Sequence, residues 1–307
     1  MNNQTGEKQS HIKYYTAGIV AFAIWGFFSF VLKPLHAYAS LDILFYRVFL
    51  CTAIMLVIAI TAKRRVLAEN IQHFKSLPAS EKRNNLMLNI GGGIFLTGNW
   101  FFFIYVMNHI SIKATSLAYL VCPILTTLLA FVFLKEKLNR LQWAAILLSA
   151  AGCLLLSLGH LMDMVFSMIV ALSYALYLVS QRRNVGFDKT LVLTFHFLVS
   201  ALLLLPLYPF FSEALPTSME FYIYIGIISV LFTIIPLFLN LYALKVLTSS
   251  TVGMLLNINP IIGFIIAVTV FKEHIDQLQI IAYSIIFISV IIFNIRPRLR
   301  KQQPEQY

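Results

Sequence analysis

The chain has 307 residues, of which 60% are hydrophobic and only 11% charged, and its mean hydropathy is +0.83. Soluble domains carry roughly 25% charged residues, so the composition excludes an ordinary soluble protein and points to the bilayer as solvent. The formal charge of +11 comes from short basic clusters set between apolar stretches, a distribution that argues against a nucleic-acid partner.

In chain order, apolar runs long enough to cross a hydrocarbon core of roughly 30 Å predict helices over 16–32, 43–62, 86–107, 114–134 and 142–159. Five more follow over 164–181, 190–210, 221–241, 249–271 and 277–295. The expected fold class is an all-α membrane protein with ten transmembrane helices. The basic lead Lys8 and Lys13 and the triplet Ala37-Tyr38-Ala39 imitate a signal peptide. Trp25, the spanning length of the run and the intervening Lys33-Pro34 favour a retained first helix instead. Cys51, Cys122 and Cys153 all fall inside apolar runs without metal-type spacing and read as core residues.

Lys and Arg accumulate in cytoplasmic loops. With the N-terminus inside, nineteen of them fall on the cytoplasmic side and three (Lys33, Lys113 and Lys272) outside, leaving Arg47 within a span. Both termini are therefore expected in the cytoplasm, with 1–15 and 296–307 as tails and 63–85 as the longest loop.

Sliding the chain by 137 residues places Pro123 on Pro260, Lys135-Glu136 on Lys272-Glu273, Leu141-Gln142 on Leu278-Gln279 and Tyr105 on Tyr242. Each repeat, 16–159 and 164–295, holds five helices, and an odd number inserts the second copy upside down. Inverted repeats are a recurrent architecture of secondary transporters, with the substrate near the midplane.

Several stretches carry a resemblance to a known family: Trp25-Gly26 with Lys33, Tyr46-Arg47-Val48, GNWFFFIYVMN at 98–108, SLAYLVCPILTTLLAFVFLKEKLNRLQW at 116–143 and its weaker copy STVGMLLNINPIIGFIIAVTVFKEH at 250–274. Through them the sequence resembles the EamA family of the drug/metabolite transporter superfamily, its RarD-type permeases in particular. Cys122 departs from the pattern, where an Asn before the proline is more typical, and so does the lone Lys245. The resemblance implies two EamA repeats, an inner-membrane location and transport, often export, of metabolites or drug-like solutes.

Arg47 is the first candidate for solute contact, because a permanent charge about four residues inside a helix is costly and its guanidinium can grip a carboxylate or phosphate. The competing readings are snorkelling to the outer interface or pairing with Asp42. Lys33 would share a positive rim with Arg47 or act as an anchor. Asn99, Trp100, Tyr105, Tyr119 and Tyr174, with Asn108, supply polar and aromatic walls, although helix-to-helix bonding competes for Asn99. Pro123 and Pro260 interrupt equivalent helices and are candidates for gating, and Asn257 and Asn259 make the second break the more polar one.

Glu136 and Glu273 lie about 20 Å beyond their prolines at 1.5 Å per residue, so loop ion pairs or helix termini explain them. No Asp or Glu falls inside any predicted span. His196 is the sole proton-relay candidate there, against a reading as a hydrogen-bonded core residue, which favours facilitated diffusion or exchange. Gly91-Gly92-Gly93 with Gly98, and Ser149-Ala150-Ala151-Gly152, allow close helix packing.

The chain has no HExxH pair, acidic cluster or phosphate loop, so neither an enzyme nor a primary pump is expected, and no cofactor or metal is called for. The expected function is a secondary permease whose partners are a small-molecule substrate and the lipid bilayer. The alternatives are a non-transporting receptor or structural protein, which needs no cavity reachable from both sides, and behind it a membrane-embedded enzyme.

Overall fold

The computed structural model describes residues 2–109, 112–158, 161–213, 215–270, 272 and 277–295. Glu273 and the basic tail 296–307 lie outside the described residues, as do the side chains of Asn108 and Lys113. Everything described is helix or connection. The order is α1 (Asn2–Gly26), α2 (Phe28–Leu32), α3 (Ser40–Ile60), α4 (Arg64–Ser76), α5 (Ala79–His109), α6 (Ile112–Leu134) and α7 (Arg140–Leu156). There follow α8 (Leu161–Arg183), α9 (Lys189–Leu204), α10 (Tyr208–Phe211), α11 (Met219–Ser229), α12 (Ile235–Ala243), α13 (Ser249–Leu255), α14 (Ile258–Thr269) and α15 (Gln277–Asn294).

Among the described residues, eight helical segments are long and apolar enough to cross a membrane, and the shorter α7 and α9 are apolar as well. These ten coincide with the ten predicted spans. A backbone in hydrocarbon must satisfy its own N–H and C=O groups, which is why long apolar runs become helices. Polar residues fix the ends. Asn139 and Gln142 form a reciprocal capping box at the start of α7, and the Asp188 carboxylate accepts from the Thr190 and Leu191 N–H groups at the start of α9.

Several local expectations change, beginning with the helix over 16–32, which starts at Asn2 and is interrupted at Phe27. The stretch read as a loop at 63–85 contains α4, and α5 begins at Ala79 rather than at 86. The charges of α4 mask its amphipathic pattern. Arg64 and Arg65 are exposed, whereas Val66, Leu67 and Phe74 are partly covered, and Phe74 and His73 pack on Phe187 at 6.4 and 5.3 Å. Helix 190–210 stops at Leu204, with Pro206 and Pro209 beyond it and the short α10 following.

The span over 221–241 is interrupted by a π-turn at Val230–Ile234. Pro236 has no N–H to give the Phe232 carbonyl four residues back, and the Trp25 indole of α1 donates to that carbonyl at 2.7 Å. The two proline helices also differ from each other. Pro123 sits inside the continuous α6, whereas the helix carrying Pro260 is broken at Leu256–Asn257, between α13 and α14.

The two repeats interdigitate. α1 packs on α12 and α14 as α8 packs on α5 and α6, α3 meets α11 as α9 meets α5, and α3·α9, α6·α13 and α7·α15 pair across the pseudo-twofold axis. Lys135 and Lys272, 137 residues apart, both adopt φ 55°, a left-handed conformation uncommon for a residue with a Cβ. The matching backbone is independent support for the repeat seen in sequence.

Glycines mark the seam between repeats. A Cβ on Gly26 would lie 2.6 Å from Ile262 Cβ, one on Gly93 2.6 Å from Val199 Cβ, one on Gly152 2.6 Å from Ile286 Cγ1, and one on Gly253 2.9 Å from Thr126 Cβ. Association in lipid depends on such close packing, because lipid tails are as apolar as the side chains. The two predicted small-residue patterns thus pack between repeats, although Gly91 and Gly98 face away from the seam and meet only their own helix's Phe95 and Phe102.

Candidate functional site

Arg47 lies deeper than its sequence suggested. α3 starts at Ser40, so Arg47 is seven residues in, about 10 Å along the axis. Its guanidinium carbon lies 4.9 Å from the centroid of the Trp100 ring of α5, and Trp100 in turn stacks on Phe197 of α9 at 6.0 Å. The Tyr119 hydroxyl of α6 and Cys51 one turn along α3 are within electrostatic reach. The residue is partly buried against Trp100 and does not pair with Asp42. Asp42 is buried, its carboxylate accepting from Ser212 Oγ at 2.7 Å and from the Glu213 N–H at 3.3 Å.

Arg47 Nε is buried without a hydrogen-bond partner among the described residues. Among the described residues the ion pairs are Lys63–Asp188 and Arg65–Glu69, neither of them near this centre. Partial withdrawal of a guanidinium from water costs solvation, and a cation–π contact, worth about 0.5–2 kcal/mol according to its exposure, offsets only part of it. The difference leaves this cluster with an unmet positive charge.

Beside it, within the same apolar cluster, runs a second polar line. Tyr174 of α8 is buried, lies edge-on to Trp25 at 6.0 Å, and its hydroxyl accepts from Asn240 Nδ2 at 2.6 Å. Asn240 Oδ1 has no partner among the described residues. Neither amide atom of the fully buried Asn257 has one, at the break before Pro260. Tyr119 packs on Phe103 at 5.5 Å. Asn259, the second residue of α14 just past the break, is partly buried.

Other candidates separate from this centre. Asn99 donates to the Val170 carbonyl at 3.0 Å and to Ser173 Oγ at 3.4 Å, and so ties α5 to α8. Tyr105 is 48% exposed and stacks on Phe101. Lys33 stays exposed and lines a surface depression with Phe30, Pro34 and His36 instead of sharing a rim with Arg47.

The Lys/Arg-rich end of the bundle is bonded across the repeats. Glu136, just past α6, accepts from the N–H groups of Ser249 and Ser250 at 2.8 and 3.1 Å and from Ser250 Oγ at 2.5 Å, capping α13 of the other repeat. The helix-terminus reading of Glu136 holds and the ion-pair reading does not. Arg183 donates to the Phe133 carbonyl at 2.9 Å, Asn184 to Asn89 Oδ1 at 2.9 Å and Gln181 to the Leu88 carbonyl at 3.1 Å. His196 is fully buried against Tyr177 at 5.6 Å, yet neither ring nitrogen has a hydrogen-bond partner among the described residues, unlike the satisfied core histidine expected.

Sequence reasoning missed Pro236 with its π-turn, Asn240 and the Phe197 platform. Pro236 was the detectable one, as the sole proline in the run 227–244. Asn240 has Phe103 at the matching repeat position, so the internal symmetry offered no cue.

Comparison with known proteins gives a consistent picture. Residues 12–158 and 161–295 each match the EamA-like transporter family. The chain is 27% identical over 283 residues to the uncharacterized transporter YojE of Bacillus subtilis, covering 91% of this chain and 92% of that one. It is 24% identical over 285 residues to the protein RarD of Escherichia coli, covering 90% and 91%. A solved crystal structure superimposes with a TM-score of 0.70 at 15% identity over 92% of this chain and 96% of the other, a likeness of fold.

Proposed function

The chain belongs to the EamA-like transporter family, and from that premise we propose that it is a secondary transporter that carries small organic solutes across the inner membrane by alternating access. In this reading both termini are cytoplasmic, export is the working direction, and no catalytic step takes place. The observation that carries the proposal is the combination of interdigitated inverted repeats with one end held shut by cross-repeat hydrogen bonds from Glu136, Arg183, Asn184 and Gln181. Two copies related by inversion have two equivalent arrangements, one for each side of the membrane. Polar bonds between helix ends can break and re-form with water, whereas the apolar seam deeper in the bundle slides without losing packing. The lack of acidic groups near Arg47 among the described residues favours facilitated movement or exchange over proton coupling.

The test is flux in liposomes containing the purified protein, loaded with a metabolite mixture and read by mass spectrometry. The protein carries Thr126→Cys and Gly253→Cys in a background free of Cys51, Cys122 and Cys153. The Gly253 Cβ position and Thr126 Cβ are 2.9 Å apart, short of the roughly 3.5–4.5 Å of a relaxed disulfide, so the two helices must part by about 1 Å as oxidation joins α6 to α13. Flux of particular solutes should stop on oxidation and resume with reductant. Flux indifferent to the cross-link would refute alternating access, and no flux in either state would refute transport.

A further inference from the structure

Resting on the transport reading above, we propose that the solute is an organic monoanion, a carboxylate on an apolar body. The Arg47 guanidinium takes the carboxylate while Trp100 and Tyr119 lie along the body.

Charge balance around Arg47 limits what it can hold. A guanidinium stays protonated at any physiological pH, so burial leaves its charge in place. Trp100 lies against it with Phe197 behind, Tyr119 and Cys51 are its neighbours and neither is a carboxylate, and the acid nearest in sequence, Asp42, has both oxygens bonded by Ser212 and Glu213. Trp100 offers its π-face, which attracts a cation without accepting the N–H hydrogens. Among the described residues Nε is left without an acceptor. Among the described residues the centre therefore has a net charge of one, unmatched.

The shape of the vacancy in bonding narrows the class. One guanidinium presents a planar fork that two oxygens of a carboxylate match in parallel. A phosphate monoester would bring nearly two negative charges to a single cation, and the residue would stand uncompensated in apolar surroundings. An organic cation would be repelled. A neutral solute would leave the charge as unmet as it is now. The aromatic neighbours favour a flat or aliphatic body over a sugar, because their faces offer little to hydroxyl groups.

A residue kept charged for a ligand weakens the empty protein, which separates this role from a structural one. Three measurements on the full chain decide the matter. In the liposome assay the transported solutes, sorted by charge at pH 7, should be monoanionic carboxylates. Passage of neutral or cationic solutes instead overturns the substrate class while leaving transport standing, and passage of nothing overturns both. Arg47→Lys should weaken carboxylate transport at least tenfold while keeping the charge preference, since an ammonium lacks the fork, whereas Arg47→Met should abolish it. Without solute, Arg47→Met in detergent should melt no lower than wild type. A Tm that falls, with the carboxylate preference intact in Arg47→Lys at wild-type rate, would make Arg47 a structural residue and overturn the proposal.

Discussion

Removing the Glu136 side chain should open the Lys/Arg-rich end of the bundle. Its carboxylate accepts three hydrogen bonds from Ser249 and Ser250, and both serines are buried, so truncation strands two backbone donors at the start of α13. Loss of a helix cap costs about 0.5–2 kcal/mol, and each stranded buried donor about 1–3 kcal/mol before water enters. Water reaches this end once the bonds part, so about 2 kcal/mol is a reasonable net for Glu136→Ala, which raises the open population roughly 30-fold by the relation of about 1.4 kcal/mol per factor of ten. Glu136→Gln retains the length and one carbonyl acceptor but loses the charge, and about 1 kcal/mol, or roughly fivefold, is expected.

The assay is alkylation of Cys122 by a water-soluble maleimide in unsealed membranes, with Cys51 and Cys153 replaced by alanine. Cys122 is 1% exposed on α6, four residues before the Thr126 that touches Gly253 of α13, so its labelling follows separation of these helices. Rates should rise in the order wild type, Glu136→Gln, Glu136→Ala. Equal rates in all three, with each protein intact by size-exclusion chromatography, would refute the reasoning.

Other expectations follow from single features. Gly92→Ala places a Cβ 2.3 Å from Gln181 Nε2 and 2.7 Å from His196 Nε2, so a loss of about 1–3 kcal/mol should appear as a lower Tm in detergent, while Gly226→Ala, with nothing within 4 Å, should leave Tm unchanged or slightly higher. Trp25→Phe should cost about 1 kcal/mol by freeing the Phe232 carbonyl, and much less in a Pro236→Ala background, where a restored N–H can take that carbonyl; thermal denaturation of the double-mutant cycle measures the coupling. In intact cells, a cysteine at Glu213 should react with an impermeant thiol reagent and one at Arg64 should not, and the reverse pattern would overturn the cytoplasmic placement of the termini.

The ten spans were legible because hydrocarbon leaves the backbone so few options. Length and apolarity alone nearly settle where α3, α6 or α15 must lie. The inversion was legible from Pro123, Lys135 and Glu136 recurring 137 residues on, and the paired positive φ of the two lysines repeats it in the backbone. Arg47 could be singled out by charge, but its depth could not, because Ser40, Leu41 and Asp42 read as a polar lead and turned out to be the first turn of α3. Its platform on Trp100 and Phe197 depends on which helices cross, and sequence spacing within one helix says nothing of that. Asn99 and Asn257 looked alike as amides in lipid. Only their neighbours distinguish one bonded to Val170 and Ser173 from one bonded to nothing among the described residues. Glu136 sits between two lysines, the usual mark of a surface ion pair, yet the left-handed turn at Lys135 and the Glu136 N–H reaching back to the Ala130 carbonyl at 3.3 Å close α6 and leave the carboxylate to the opposite repeat.

The interdigitation of the repeats bears on how such a chain is made. Each half finds its main packing partners in the other, so when the first five helices have entered the bilayer their proper neighbours have yet to be translated. At about 5–20 residues per second, the segment 161–295 takes roughly 7 to 27 s to appear. Through that interval the grooves beside Gly92, Gly93 and Gly152 are filled by lipid, and Glu136 has no α13 to cap. The nascent half must stay inserted on hydropathy alone, upright and unassembled, until a second half of opposite orientation threads between its helices and displaces that lipid.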